Sequence, residues 1–145
     1  PMLVSDPQLA GVRSGLMLLQ YTAASLVLEN QTLAGPDSVR SLPTSAGQED
    51  HNANATTAAR HLHRILDNFS RVVAIELICA AQALDLRMPS MRGKELSKGT
   101  RAALELVRSQ VPFAAEEMPF SEYIEELAIK LRSGQWFQTL RERLG

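Results

Sequence analysis

The sequence predicts an all-α chain. Hydrophobic residues make up 45% of its 145 positions but aromatic ones only 5%. Ala and Leu are abundant and β-branched runs are few, which favours helices. Two long stretches carry apolar residues at three- and four-residue spacing, and no stretch makes a convincing strand. The length suits one domain with a modest core. The expected architecture is a pair of long antiparallel helices belonging to a multi-subunit bundle, followed by short C-terminal helices, all in one segment over 1–145.

Residues 1–7 form an irregular lead-in bounded by Pro1 and Pro7. A first helix is predicted over 8–33, with Leu9, Val12, Leu16, Leu19, Ala23, Leu26 and Val27 on one face. Met17, Leu18, Tyr21, Ala24 and Leu28 fill much of the rest, and a helix apolar nearly all round must be buried nearly all round. Ser14 and Gly15 are small enough to admit a neighbouring helix. Ala34-Gly35-Pro36 is the stop. A long loop follows over 35–54. A second helix, capped by Asn52 or Asn54, is predicted over 55–86. Its first half carries the stripe Ala59, Leu62, Leu66, Phe69 and Val73. Its second half, from Val72 to Leu84, has only Glu76 and Gln82 as strongly polar residues and reads as enclosed.

The C-terminal helices occupy 97–145. One runs from Thr100 to Val111 and is stopped by Pro112. Another is capped by Ser121, with Glu122, Glu125 and Glu126 near its positive end, and ends at Gly134. A last short helix groups Trp136, Phe137 and Leu140. These elements cannot cover the apolar surface of the two long helices. Each large side chain left exposed forfeits about 1.5–3 kcal/mol, so about eight forfeit on the order of 12–24 kcal/mol. That exceeds a net stability of about 5–15 kcal/mol. The sequence therefore calls for further helices from more of the polypeptide, from sister subunits, or from both. The start at Pro1 with Met2 second suggests a cut or truncated product.

Charge excludes some partners. With 15 basic and 16 acidic residues the formal net charge is −1, so no basic field exists to hold nucleic acid or an anionic membrane. The most apolar window, Leu16 to Leu28, is interrupted by Gln20, Thr22 and Ser25 and is too short to span a bilayer. A secretory signal is not visible. Cys79 is the single cysteine, in an apolar helical run, and reads as a small buried hydrophobe. No disulfide framework is possible within the chain, which points to a reducing, cytoplasmic location.

The loop holds the polar chemistry. Ser41 to His51 reads SLPTSAGQEDH and places Gln48, Glu49, Asp50 and His51 consecutively. A loop this long in a compact domain is functional or disordered. Glu49 can accept a proton, hold an ammonium or bond an imidazole N–H, and His51 can donate or accept near neutral pH. On spacing alone, four polar residues ahead of a helix also describe a solvated cap, with Asp50 and His51 meeting the open N–H groups of the helix start. Adjacent ligand types do not converge on one ion. His61 and His63 are two apart on a helix and point to different faces, so no metal is expected.

The loop motif, the helix ending in QALDLR (Gln82 to Arg87) and the first helix SGLMLLQYTAASLVLEN (Ser14 to Asn30) together resemble the C-terminal part of the aromatic amino-acid ammonia-lyases. The likeness is strongest to the histidine-specific members. It covers essentially the whole chain. It implies an enzyme that eliminates ammonia from L-histidine to give trans-urocanate, using a methylidene-imidazolone (MIO) electrophile built from its own backbone. It also implies a homotetramer whose active sites draw on three subunits, and a small amino-acid substrate. In the family, the residue at Glu49 faces the substrate, as Glu in histidine-specific members and commonly as Gln in phenylalanine- or tyrosine-specific ones. Gln48 and His51 take supporting roles.

The departures are specific. The electrophile forms from Ala-Ser-Gly, which does not occur here; Ser45-Ala46-Gly47 has the wrong order. Gly47 stands where Asn is often found, and HNANATT (His51 to Thr57) differs from the usual helix start. The family's general base is a Tyr in an N-terminal segment that this chain lacks; Tyr21 and Tyr123 are not in that motif. The chain is thus expected to carry part of a site, to depend on a missing N-terminal portion for the cofactor, and to be inactive alone. Two other readings stay open: a phenylalanine/tyrosine ammonia-lyase or aminomutase of the same family, and a non-catalytic helical assembly module.

Overall fold

The structure, a computed structural model, describes residues 3–51, 54–91 and 93–145. Five α-helices account for most of them: α1 Met17–Leu33, α2 Ala55–Arg87, α3 Lys98–Arg108, α4 Ser121–Arg132 and α5 Gln135–Leu144. The predicted all-α class holds. Two strands of two residues each, β1 Pro43–Thr44 and β2 Glu49–Asp50, pair antiparallel within the loop. They are too short to leave a period-two pattern in the sequence.

α1 and α2 run antiparallel. Met17, Gln20 and Ala23 share a cavity with Val72, Ile75 and Glu76. At the other end of α1, Asn30 Nδ2 donates to Ile65 O at 3.5 Å, and Asn68 Nδ2 donates to Glu29 Oε2 and Asn30 Oδ1, both at 3.0 Å. Arg64 adds an ion pair to Glu29. Asn68 is buried, and its amide is satisfied by these two acceptors, as a buried polar group requires.

The first helix is shorter than its apolar spacing predicts. Pro7–Leu9 is a 3-10 turn, its Asp6 cap accepting from Gln8 N at 2.9 Å. Gly11 and Gly15 then take φ of +101° and +55°. These left-handed residues break any helix over 8–16. Gly15 therefore serves the backbone and not a helix contact, and Val12, placed on the apolar face by spacing, is 85% exposed. The lead-in is held by the segment before α4 instead. Ser5 Oγ donates to Ala115 O at 2.5 Å, Ser14 N to Glu117 Oε1 at 2.8 Å, and Arg13 pairs with Glu116 at 3.3 Å.

α2 is one unbroken helix of 33 residues. Its enclosed second half buries Ala74, Ile75, Ile78, Ala81 and Gln82. Its first half does not bury its stripe: Ala59, Leu62, Leu66 and Phe69 are exposed, Phe69 at 59%, and Val73 is half-buried. On α1 only Leu19 is buried, while Leu18 (68%), Tyr21, Val27 and Leu28 stay exposed. The unmet burial expected from sequence is thus a feature of this chain.

The core lies where the second half of α2 meets α3, α4 and the start of α5, around Ile78, Val107, Val111, Leu127 and Trp136. Ser97 Oγ accepts from Thr100 N at 3.3 Å and caps α3, so that helix starts earlier than Thr100 and ends at Arg108. Ser121 is the first residue of α4 and not its cap; Phe120 holds that position without a side-chain bond. Gly134, at φ +78°, turns the chain from α4 into α5, where Trp136 and Phe137 meet edge to face with centroids 5.4 Å apart.

The QALDLR signature has a structural basis. Gln82, 1% exposed, bonds both backbone groups of Ala114: Nε2 donates to Ala114 O at 2.9 Å and Oε1 accepts from Ala114 N at 3.1 Å. Arg108 donates to Gln82 Oε1 at 3.2 Å, to Asp85 Oδ2 at 2.6 Å and to Val111 O and Pro112 O at 3.1 and 2.9 Å. The irregular chain after α3 is thereby fixed to α2 by polar bonds as well as by its buried Val111 and Ala114.

Candidate functional site

The residues predicted to form a site sit on the loop between α1 and α2. Asp37–Arg40 forms a 3-10 turn, and the β1–β2 hairpin follows with register Pro43 to Asp50 and Thr44 to Glu49. Its tip uses three consecutive left-handed residues: Ser45 (φ +48°), Ala46 (+56°) and Gly47 (+84°). Two of these carry a Cβ, which disfavours the region by about 1–2 kcal/mol each. Strain of this kind clusters at functional loops. Gln48 N closes the turn onto Ser45 O at 3.2 Å, and His51 N donates to Leu42 O at 2.9 Å.

This geometry brings the three predicted residues onto one hairpin. Glu49 lies on β2, and its Oε2 accepts from Ser45 Oγ at 3.3 Å. Gln48 precedes it at the end of the turn and His51 follows β2. All three side chains are exposed. The chain presents Glu49 outward and does not enclose it. The larger cavities lie elsewhere: one of about 440 Å³ is lined by Thr22, Glu29, Arg64, Asn68, Arg71 and Glu125, and one of about 580 Å³ by Leu16, Met17, Gln20 and Ile75. In the first, the hydrogen bond to Glu125 strengthens the hold of Arg71 on its proton, against an opposing effect of burial. Cys79 borders the second, half-buried, and desolvation pushes its thiol up.

Side-chain bonds among Asp37, His51 and Asn54 tie the loop down. His51 Nδ1 lies 2.7 Å from Asn54 Oδ1, and Asn54 Nδ2 donates to Asp37 O at 3.0 Å. Asp37 is 7% exposed, with its Oδ2 3.0 Å from His61 Nδ1. That imidazole nitrogen is buried and not aligned for a hydrogen bond. Asn54 was predicted as a helix cap. It occupies the cap position of α2, but at φ +54° its side chain turns back to the loop and makes no capping bond. The other predicted cap, Asn52, lies outside the described residues. Among the described residues, no group of three or more His, Cys, Asp or Glu is arranged to hold a metal ion.

Comparison with known proteins places this geometry. A sequence model of the family described as Aromatic amino acid lyase matches residues 1–109. The chain belongs to the aromatic amino acid lyase family. It is 48% identical over 145 residues to the histidine ammonia-lyase of Natranaerobius thermophilus, covering 100% of this chain and 27% of that protein. It is 44% identical to that of Gloeobacter violaceus, with the same shares covered. Among solved structures, tyrosine aminomutase from Streptomyces globisporus superposes with a TM-score of 0.83 at 34% identity, over 97% of this chain and 26% of that one. Histidine ammonia-lyase from Trypanosoma cruzi gives 0.81 at 34% identity, over 98% and 27%. The chain spans about a quarter of the length of these lyases. Its hairpin falls within the residues matched by the family.

Proposed function

We propose that this chain supplies the substrate-recognition loop of an ammonia-lyase that eliminates ammonia from L-histidine to give trans-urocanate. The observation that carries the reading is Glu49. It is a carboxylate held on a strained hairpin in a chain that is nearly half identical to a histidine ammonia-lyase. A carboxylate suits the imidazole N–H or the ammonium of histidine, because a charge-assisted hydrogen bond is stronger than a neutral one. Gln48 and His51 flank it on the same hairpin and act as supporting polar contacts.

In the reaction, the Cα–N bond breaks with its electron pair leaving on nitrogen, and a base removes a poorly acidic β-proton. An MIO group, where the complete enzyme carries one, would supply the electrophile for this elimination. The turn Ser45-Ala46-Gly47 does not fit as its source, since serine stands first and not second. The MIO group therefore forms in residues outside this chain, which also supply the base. The role left to this chain is to bind and orient the substrate, and alone it is inactive.

The exposed apolar stripes, Leu18, Tyr21 and Leu28 on α1 and Leu62, Leu66 and Phe69 on α2, support assembly with the remaining polypeptide into a homotetramer. A cytoplasmic location fits a chain with one cysteine and no disulfide. A second reading, a tyrosine or phenylalanine lyase or aminomutase, is favoured by the likeness to tyrosine aminomutase; Glu49 argues against it.

Glu49→Gln in the full-length enzyme tests the first reading. Urocanate formation, followed by its ultraviolet absorbance, should fall by about ten- to a hundredfold, the loss of roughly 1.5–3 kcal/mol for a hydrogen bond to a charged group. Assembly should be unchanged. Undiminished turnover would remove Glu49 from the site.

A further inference from the structure

The loop that carries Glu49 has almost nothing apolar to hold it. From Ser38 to His51, only the Thr44 side chain is even half-buried. Its order must come from polar bonds, and two of these meet at Asn54. The Asn54 amide joins the two ends of the loop: Nδ2 donates to Asp37 O at the start, and Oδ1 meets His51 Nδ1 at the end. The direction of these bonds is fixed. A carbonyl only accepts, so the NH2 group must face Asp37 and the amide oxygen must face His51. The oxygen in turn requires a proton on His51 Nδ1.

We propose that Asn54 is a positioning residue. It closes the base of the loop and sets the His51 tautomer, so that Glu49 and His51 meet the substrate pre-arranged. The proposal rests on the reading of Glu49 as a substrate contact. Asn54 is distant in role from the chemistry and acts only through the hairpin. Its left-handed backbone is one that Asn adopts more readily than most residues, which frees its side chain from capping α2.

The physical consequence concerns population. If the loop is ordered only a fraction of the time, apparent affinity falls by that fraction. Loss of the clamp should therefore appear in KM and leave kcat nearly unchanged.

The test is Asn54→Gly in the full-length enzyme. Glycine accepts the same φ, so only the two side-chain bonds are lost. Hydrogen exchange read by mass spectrometry should quicken by roughly tenfold in peptides covering 42–51, as expected for losing two hydrogen bonds. Exchange over 74–82 should not change, which reports an intact bundle. KM for histidine should rise several-fold, with kcat within about twofold. If the glycine variant does not fold, Asn54→Asp serves: it tolerates the same backbone, replaces the donor to Asp37 O with a carboxylate oxygen that repels it, and should shift exchange and KM in the same direction. Unchanged loop exchange overturns the clamp. Faster exchange with unchanged KM overturns the positioning role. Failure of the Glu49 reading is recognised separately, because Glu49→Gln would then leave turnover intact whatever exchange does in the Asn54 variants.

Discussion

Gln82 and Ala114 are joined by two hydrogen bonds that use both polar atoms of the amide and both backbone groups of the alanine. The pair is buried, and it ties the chain after α3 to the middle of the core. Gln82→Leu keeps the volume but orphans the Ala114 N–H and C=O and one donor of Arg108. Each buried orphan costs about 1–3 kcal/mol, so a loss of about 3–5 kcal/mol is expected. Urea or thermal unfolding of the full-length enzyme measures it. A change under 1 kcal/mol would mean that water replaces the side chain.

Ser45→Ala removes the hydroxyl that holds the Glu49 carboxylate. The bond is exposed, so stability should change by less than about 0.5 kcal/mol. Substrate affinity should nonetheless weaken about three- to fivefold, the worth of roughly 1 kcal/mol in orienting the carboxylate. Comparison of KM values with the melting curve separates the two effects.

Phe69→Glu and Leu62→Glu place charges on the open stripe of α2. If that stripe is covered in the assembly, an unpaired buried charge strongly disfavours the covered state. Sedimentation should then show smaller species than the parent enzyme. A full-sized assembly in both variants would show that the stripe faces solvent.

Cys79 provides a pH prediction. Burial raises its thiol above the ordinary range, and the thiolate is the reactive form. Alkylation of the folded enzyme at pH 8 should be at least several-fold slower than in denaturant. Because the folded value exceeds the unfolded one, this group's contribution to stability is fully present below the ordinary thiol range. It is lost as pH rises through the raised value. Equal alkylation rates in both states would place the thiol in open solvent.

Much of this was legible in the sequence, and the misses have physical causes. The helical period and the Ala34-Gly35-Pro36 stop describe α1 and α2 because side-chain spacing is a local property. The start of α1 was misplaced because Leu9 and Val12 continue the period while Gly11 and Gly15 adopt backbone angles that spacing does not register. The hairpin was invisible because strands of two residues have no alternation. Glu49 stood out through a family likeness, and not through its own neighbours. Asn54 looked like an ordinary cap: only a backbone turned left-handed sends its amide to Asp37 and His51, and those partners are remote in sequence or outside the cap pattern.

The length of α2 has a further meaning. At about 1.5 Å per residue, its 33 residues extend roughly 50 Å. The β1–β2 hairpin hangs from one tip of this mast, and the cemented foundation around Gln82 and Trp136 grips the other. Substitutions in that foundation should be felt as lower yield of intact enzyme and not as altered substrate preference. Selection can therefore remodel the C-terminal layer and the loop between α1 and α2 with little cross-talk.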